Sequence, residues 1–109
     1  MAFFGENSCD AWVNFIGTGT VSIRDSFNVS SITDHGTGDY TVTWGSAFAT
    51  DDYCAVGAAG GTSGIPTVKM AHSGNDFGVG EIRMETLNTV GNGGSLDNNT
   101  VCIGVWADT

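Results

Sequence analysis

Along most of this chain apolar residues alternate with polar ones instead of recurring every three or four positions, which is the pattern of a strand with one buried face. The clearest case is DYTVTW (39 to 44), where Tyr40, Val42 and Trp44 share one face and Thr41 and Thr43 the other. By the same reading AWVNFI (11 to 16), VSIRDSF (21 to 27), NVSSIT (28 to 33), DYCAVGA (52 to 58), TVKMAH (67 to 72), EIRMETLN (81 to 88) and TVCIGVWA (100 to 107) are strands. TVKMAH places Val68, Met70 and His72 together, while EIRMETLN buries Ile82 and Met84 and shows Arg83 and Glu85. The pattern predicts one all-β domain over residues 1 to 109, an antiparallel, jelly-roll-like β-sandwich of about seven or eight strands.

Composition agrees. Seventeen glycines, a single proline (Pro66) and little Lys or Leu suit short strands and tight turns better than helices. With 40% hydrophobic and only 14% charged residues the chain is neither disordered nor a coiled coil. The intervening segments 57 to 64 (GAAGGTSG), 73 to 80 and 91 to 99 (GNGGSLDNN) are loops.

Two strands are apolar on both sides. In the first, Trp12 and Ile16 oppose Val13 and Phe15; in the last, Val101, Ile103 and Val105 oppose Cys102 and Trp106. A sandwich of about 100 residues covers only one face of each sheet internally, so the second apolar face predicts a subunit interface built on Trp12, Phe15 and Trp106.

Three basic residues (Arg24, Lys69, Arg83) against twelve Asp and Glu give a formal net charge of -9. Such a surface repels phosphate backbones and anionic membranes, so neither nucleic acid nor membrane insertion is expected. Cys9, Cys54 and Cys102 are odd in number and lack CxxC spacing, so they read as small buried hydrophobes, with a Cys54 to Cys102 bridge open only if their strands adjoin. The start MAFFGENSCD has no basic region and no long apolar run, so it does not read as a signal peptide.

The chemical motifs are thin. In DHGTGD (34 to 39), Asp34, His35 and Asp39 match no metal-site spacing, and the glycines suit a hairpin turn. GAAGGTSG lacks the lysine and the helix of a phosphate loop, and SGNDFGVGE lacks the alternating carboxylates of a calcium loop. Asp51 and Asp52 are adjacent, so in a strand they point apart and cannot flank one glycosidic bond. The two histidines, His35 and His72, sit in a turn and at a strand end and complete no triad; in a trimer His72 could bind a metal on the axis. No catalysis, no cofactor and no resident metal are expected.

The stretch WVNFIGTGTVSIRDSFNVSSITDHGTGDYTV (12 to 42) resembles a segment common in the distal, or tip, domains of tailed-bacteriophage tail fibre proteins. Trp12 to Phe15, Gly17 to Val21, Ile23 with Arg24, Asn28 to Asp34 and Gly36 to Gly38 carry the resemblance, which continues more faintly through Ala47, Asp52, Tyr53 and Val56. It implies a β-sandwich tip that assembles as a homotrimer in the virion, has no enzymatic activity, and touches a bacterial surface polysaccharide or outer-membrane protein through its loops. On that expectation Phe77 is the aromatic anchor, with Asn75, Asp76, Asn92, Asp97 and Asn98 as polar neighbours. Residues 1 to 109 hold no shaft, coiled coil or collagen-like run, so the alternative expectation is a small capsid decoration protein or a head or tail appendage with other virion proteins as partners.

Overall fold

The computed structural model describes residues 9–61, 66–70, 76–88 and 94–107. Eight strands follow in order: β1 (Ala11–Ile16), β2 (Ser22–Phe27), β3 (Val29–Gly36), β4 (Asp39–Trp44), β5 (Cys54–Gly60), β6 (Pro66–Lys69), β7 (Glu81–Asn88) and β8 (Thr100–Trp106). They form two four-stranded antiparallel sheets, ordered β2-β1-β8-β5 and β3-β4-β7-β6, stacked as a sandwich. The alternation expected in β4 is realised: Tyr40, Val42 and Trp44 are all buried. Opposite them Ala11, Val13 and Phe15 of β1 and Val101, Ile103 and Val105 of β8 complete the core between the sheets.

Phe15 stands edge-on to Tyr40, ring centroids 5.2 Å apart, and has no exposed surface. That removes it from the subunit interface where the sequence put it, because odd-numbered β1 residues face the core and only Trp12, Asn14 and Ile16 face out. A second aromatic group, Trp44, Phe48, Tyr53 and Phe77, closes one end of the core with centroids 5.2 to 6.1 Å apart.

β3 and β4 form the hairpin expected around DHGTGD, with Gly36 paired to Asp39 across Thr37 and Gly38. Gly38 has φ of +64°, a conformation that disfavours side chains, and its carbonyl accepts from the Thr86 amide at 2.8 Å. Asn28, expected as the first residue of a strand, is instead the corner where the chain crosses between sheets, with φ of +55°. Its amide nitrogen donates to the carbonyls of Asp10 and Ser46, and its Oδ1 accepts from the Ser46 amide. Asparagine suits such a corner because its short polar side chain tolerates the left-handed region and satisfies nearby backbone groups.

Cys54 pairs with Trp106 and Cys102 with Ala58, so the two cysteines lie on adjoining strands but four residues out of register. At roughly 3.4 Å per residue that separation exceeds the reach of a disulfide. All three cysteines are free.

Candidate interaction surfaces

The expected contact residues fall at opposite ends of the sandwich. Where β4 begins and β7 ends lie the 17–21 turn, the Thr37–Gly38 turn, Gly61 and residues 94–99; this is the loop end. Where β4 ends and β7 begins lie residues 45–53 and 76–80, together with Asp10, Asn28 and Ala107. Asp97 and Asn98 therefore belong to the first end, and Asp76 and Phe77 to the second. No single surface joins the two pairs, because β7 runs the length of the sheet between them. Asn75, Asn92 and His72 lie outside the described residues.

Most of these side chains serve the fold. Phe77 turns back against Tyr53 at 5.2 Å and bridges Ile82, so it is half-buried. The Asp76 carbonyl accepts from the Arg83 amide. Asn98 is fully buried; its side-chain amide donates to Leu96 O, and its Oδ1 has no hydrogen-bond partner. Asp97 is a tie-point: one carboxylate oxygen accepts from the Gly38 amide at 2.8 Å and from the Tyr40 hydroxyl at 2.9 Å, which holds the 94–99 segment against the β3–β4 turn. Burial, then the hydrogen bond to Asp97, pushes the Tyr40 phenol well above its ordinary value. Sequence reading misses these roles because each depends on a partner far away in the chain, such as Asp97 with Tyr40.

The DHGTGD residues make local bonds. Asp34 accepts from the Gly36 amide at 3.0 Å, an Asx-type turn, and His35 Nε2 lies 2.8 Å from Thr41 Oγ1. Asp39 accepts a two-pronged pair from Arg83 at 3.0 and 2.8 Å, which raises the guanidinium pKa further. Among the described residues no three His, Cys, Asp or Glu side chains converge as metal ligands.

The two outer faces differ in character. That of β3-β4-β7-β6 carries Asp39, Thr41, Arg83, Glu85 and Lys69. On the outer face of β2-β1-β8-β5, Phe27, Trp12, Gly104 and Val56 form one row across all four strands. Phe27 is 54%, Val56 52%, Trp106 40% and Trp12 38% exposed, which makes this row an apolar patch open to contact. Because Gly104 has no side chain, an open cleft of about 470 Å³ remains between Trp12 and Val56, floored by Gly104 and Cys102. The Trp106 indole leans over Gly104, at 3.5 Å from where a Cβ would stand. Nearer the loop end the face turns polar: Arg24 reaches over β1 to Asn14 Oδ1, Thr100 Oγ1 and the Asn99 carbonyl at 3.0 to 3.1 Å. Trp12 and Trp106, expected from the sequence at an interface, are both partly exposed on this outer face.

In comparison with known proteins, no protein-family model matches this chain, and no curated protein and no solved structure is significantly similar to it.

Proposed function

We propose that this protein is a bacteriophage virion component that attaches to the host surface in the manner of a tail-fibre tip, as a homotrimer without enzymatic activity. The observation that carries this reading is the 12 to 42 signature, whose residues make up β2, β3, most of β1 and β4, and the turns between them. The arrangement of the loops supports it. Asp10 and Ala107 are hydrogen-bonded to each other at one end, so attachment through either flank leaves the opposite end, with residues 17–21, 36–38 and 94–99, free to meet a receptor. The contact surface proposed here differs from the one the sequence suggested: it keeps residues 94–99, adds the 17–21 and 36–38 turns, and sets aside Asp76 and Phe77. The receptor class is a bacterial surface polysaccharide or an outer-membrane protein.

The test is adsorption of the labelled protein to host cells. Thr37→Arg with Ser95→Arg, both exposed at the loop end, is expected to weaken binding by about tenfold or more, equivalent to about 1.4 kcal/mol. Ala49→Arg with Val79→Arg, exposed at the other end, is expected to leave it unchanged. Unaltered binding by the first variant, or equal loss in both, overturns the assignment.

The apolar outer face favours a second reading, a capsid decoration or head or tail appendage protein that contacts other virion proteins through sheet faces instead of loops. Labelling intact particles separates the two: signal at the fibre ends supports attachment, and signal over the capsid supports decoration.

A further inference from the structure

A sandwich of two open sheets has four edge strands, here β2 and β5, β3 and β6. An edge strand offers unpaired backbone groups to any passing strand, and proteins blunt it with charge, proline, bulges or shortness. Three of these edges are blunted. β2 carries Arg24 and Asp25, and its pairing with β1 slips at Asn14/Phe15. β3 carries Asp34 and His35 and shifts register twice. β6 has four residues, among them Pro66 and Lys69.

β5 has none of these devices in its own sequence, although Val68 and Met70 of the β6 segment pack over Gly57 on its inner side. Its sequence CAVGAAG contains no charge and no proline, and it pairs with β8 in unbroken register over seven residues. Cys54, Val56 and Ala58 are exposed along it, beside the apolar cleft bounded by Trp12 and Val56. Small side chains on such a strand let another backbone come close.

We propose that β5 and the apolar face beside it, with Trp12, Phe27, Val56 and Trp106, form the surface on which a second copy of this chain docks. The inference rests on the self-association included in the proposed function and supplies its surface. Charge argues for a second copy. Each chain carries a formal net charge of -9, so two copies repel wherever their carboxylates meet. Asp34, Asp39 and Glu85 lie on the other sheet, Asp51, Asp52, Asp76 and Glu81 at the far end together with Asp10, whose Oδ2 accepts from the Ala107 amide at the margin of this face, and Asp97 at the loop end. On this face the described carboxylate is Asp25, next to Arg24 at the polar margin. Among the described residues it is the region where identical subunits approach with least repulsion. Tryptophan-centred apolar patches are also what protein interfaces favour, whereas a saccharide platform needs free polar groups beside its aromatic rings, and Arg24 and Asn14 are bonded to each other.

The test uses the full chain and measures mass in solution by light scattering at about 50 μM, a concentration that populates micromolar complexes. Wild type is expected to give a multiple of the monomer mass. Val56→Lys with Ala58→Lys, both solvent-exposed, is expected to give the monomer mass with the far-ultraviolet circular dichroism of wild type. Ser31→Lys with Thr33→Lys, at exposed positions on the β3 edge, is expected to keep the wild-type mass. A monomeric wild type overturns the proposal, as does an oligomer that survives the β5 lysines. A monomeric wild type whose tryptophan fluorescence shifts on adding host polysaccharide, with the shift lost in Trp12→Ala, reassigns the face to sugar binding. Host adsorption of each variant is scored separately, so loss of the attachment reading is distinguishable from loss of this one.

Discussion

Tyr40 joins the core to the loop end within one side chain. Its ring is buried against Phe15, and its hydroxyl lies 2.8 Å from the Gly17 carbonyl and 2.9 Å from the Asp97 carboxylate. Asp97 is thus more than a loop acid. Replacing it with alanine strands the Gly38 amide and leaves the Tyr40 hydroxyl only the Gly17 carbonyl, and the expected loss is about 1 to 3 kcal/mol in urea unfolding. Asp97→Asn, which keeps an acceptor, is expected to lose about half of that. Asp34→Ala, at an exposed turn, is expected to lose about 0.5 to 1 kcal/mol.

The tyrosines also set the alkaline limit. Burial pushes the Tyr53 phenol from 10.0 up to about 12. A phenol whose folded pKa exceeds its unfolded one makes the folded state bind more protons in between, so stability falls as pH rises. Its contribution is intact below about pH 10 and is lost toward pH 12. Melting temperature measured across that window is expected to drop, and to drop less steeply in Tyr53→Phe; an unchanged slope would show that Tyr53 does not carry the effect.

Among the elements, strands with a local alternation were legible, whereas residues 57 to 60, read within the 57 to 64 loop, carry β5 on to Gly60. DYTVTW, AWVNFI and EIRMETLN match β4, β1 and β7 residue for residue. Where strands sit relative to one another was not legible, since strand order depends on pairings such as β1 with β8 that join the two ends of the chain. That is why residues 76 to 80 and 94 to 99 both read as loop in the sequence yet lie at opposite ends, and why Asn98 reads as a surface loop residue but is buried. Turns show the same division. Gly19 and Gly38 both have positive φ, +62° and +64°, and both read as GTG turns. A Cβ on Gly19 meets nothing within 4 Å, whereas one on Gly38 would come within 2.5 Å of Thr86 O and 2.8 Å of Leu96 N. Gly19→Ala is therefore expected to lose about 1 to 2 kcal/mol, the backbone term alone. Gly38→Ala is expected to lose several kcal/mol more, because two backbone segments must also move. Equal urea midpoints for the two variants would contradict the close approach.

For the whole molecule, the decisive balance is between an apolar face that favours association and a charge that opposes it. The outer face of β2-β1-β8-β5 exposes Trp12, Phe27, Val56 and Trp106, while the formal net charge of -9 acts over the entire surface. Apolar contacts are short-ranged and insensitive to modest salt, whereas repulsion between subunits reaches about 10 Å at 0.1 M ionic strength and about 3 Å at 1 M. If the proposed trimer is held by this face, raising salt from about 0.02 M to 0.5 M should strengthen it, lowering the concentration at which half the chains dissociate. An assembly held by ion pairs would weaken over the same range. Trp12→Asp adds a carboxylate and removes an indole at a position 38% exposed, so it should yield a folded monomer at every salt concentration. Phe15→Ala, at a position with no exposure, should instead unfold the chain by a loss of about 3 to 5 kcal/mol. Sedimentation across the salt series reads all three: a trimer that loosens with salt, or a Trp12→Asp chain that remains trimeric, would show that association runs through some other surface.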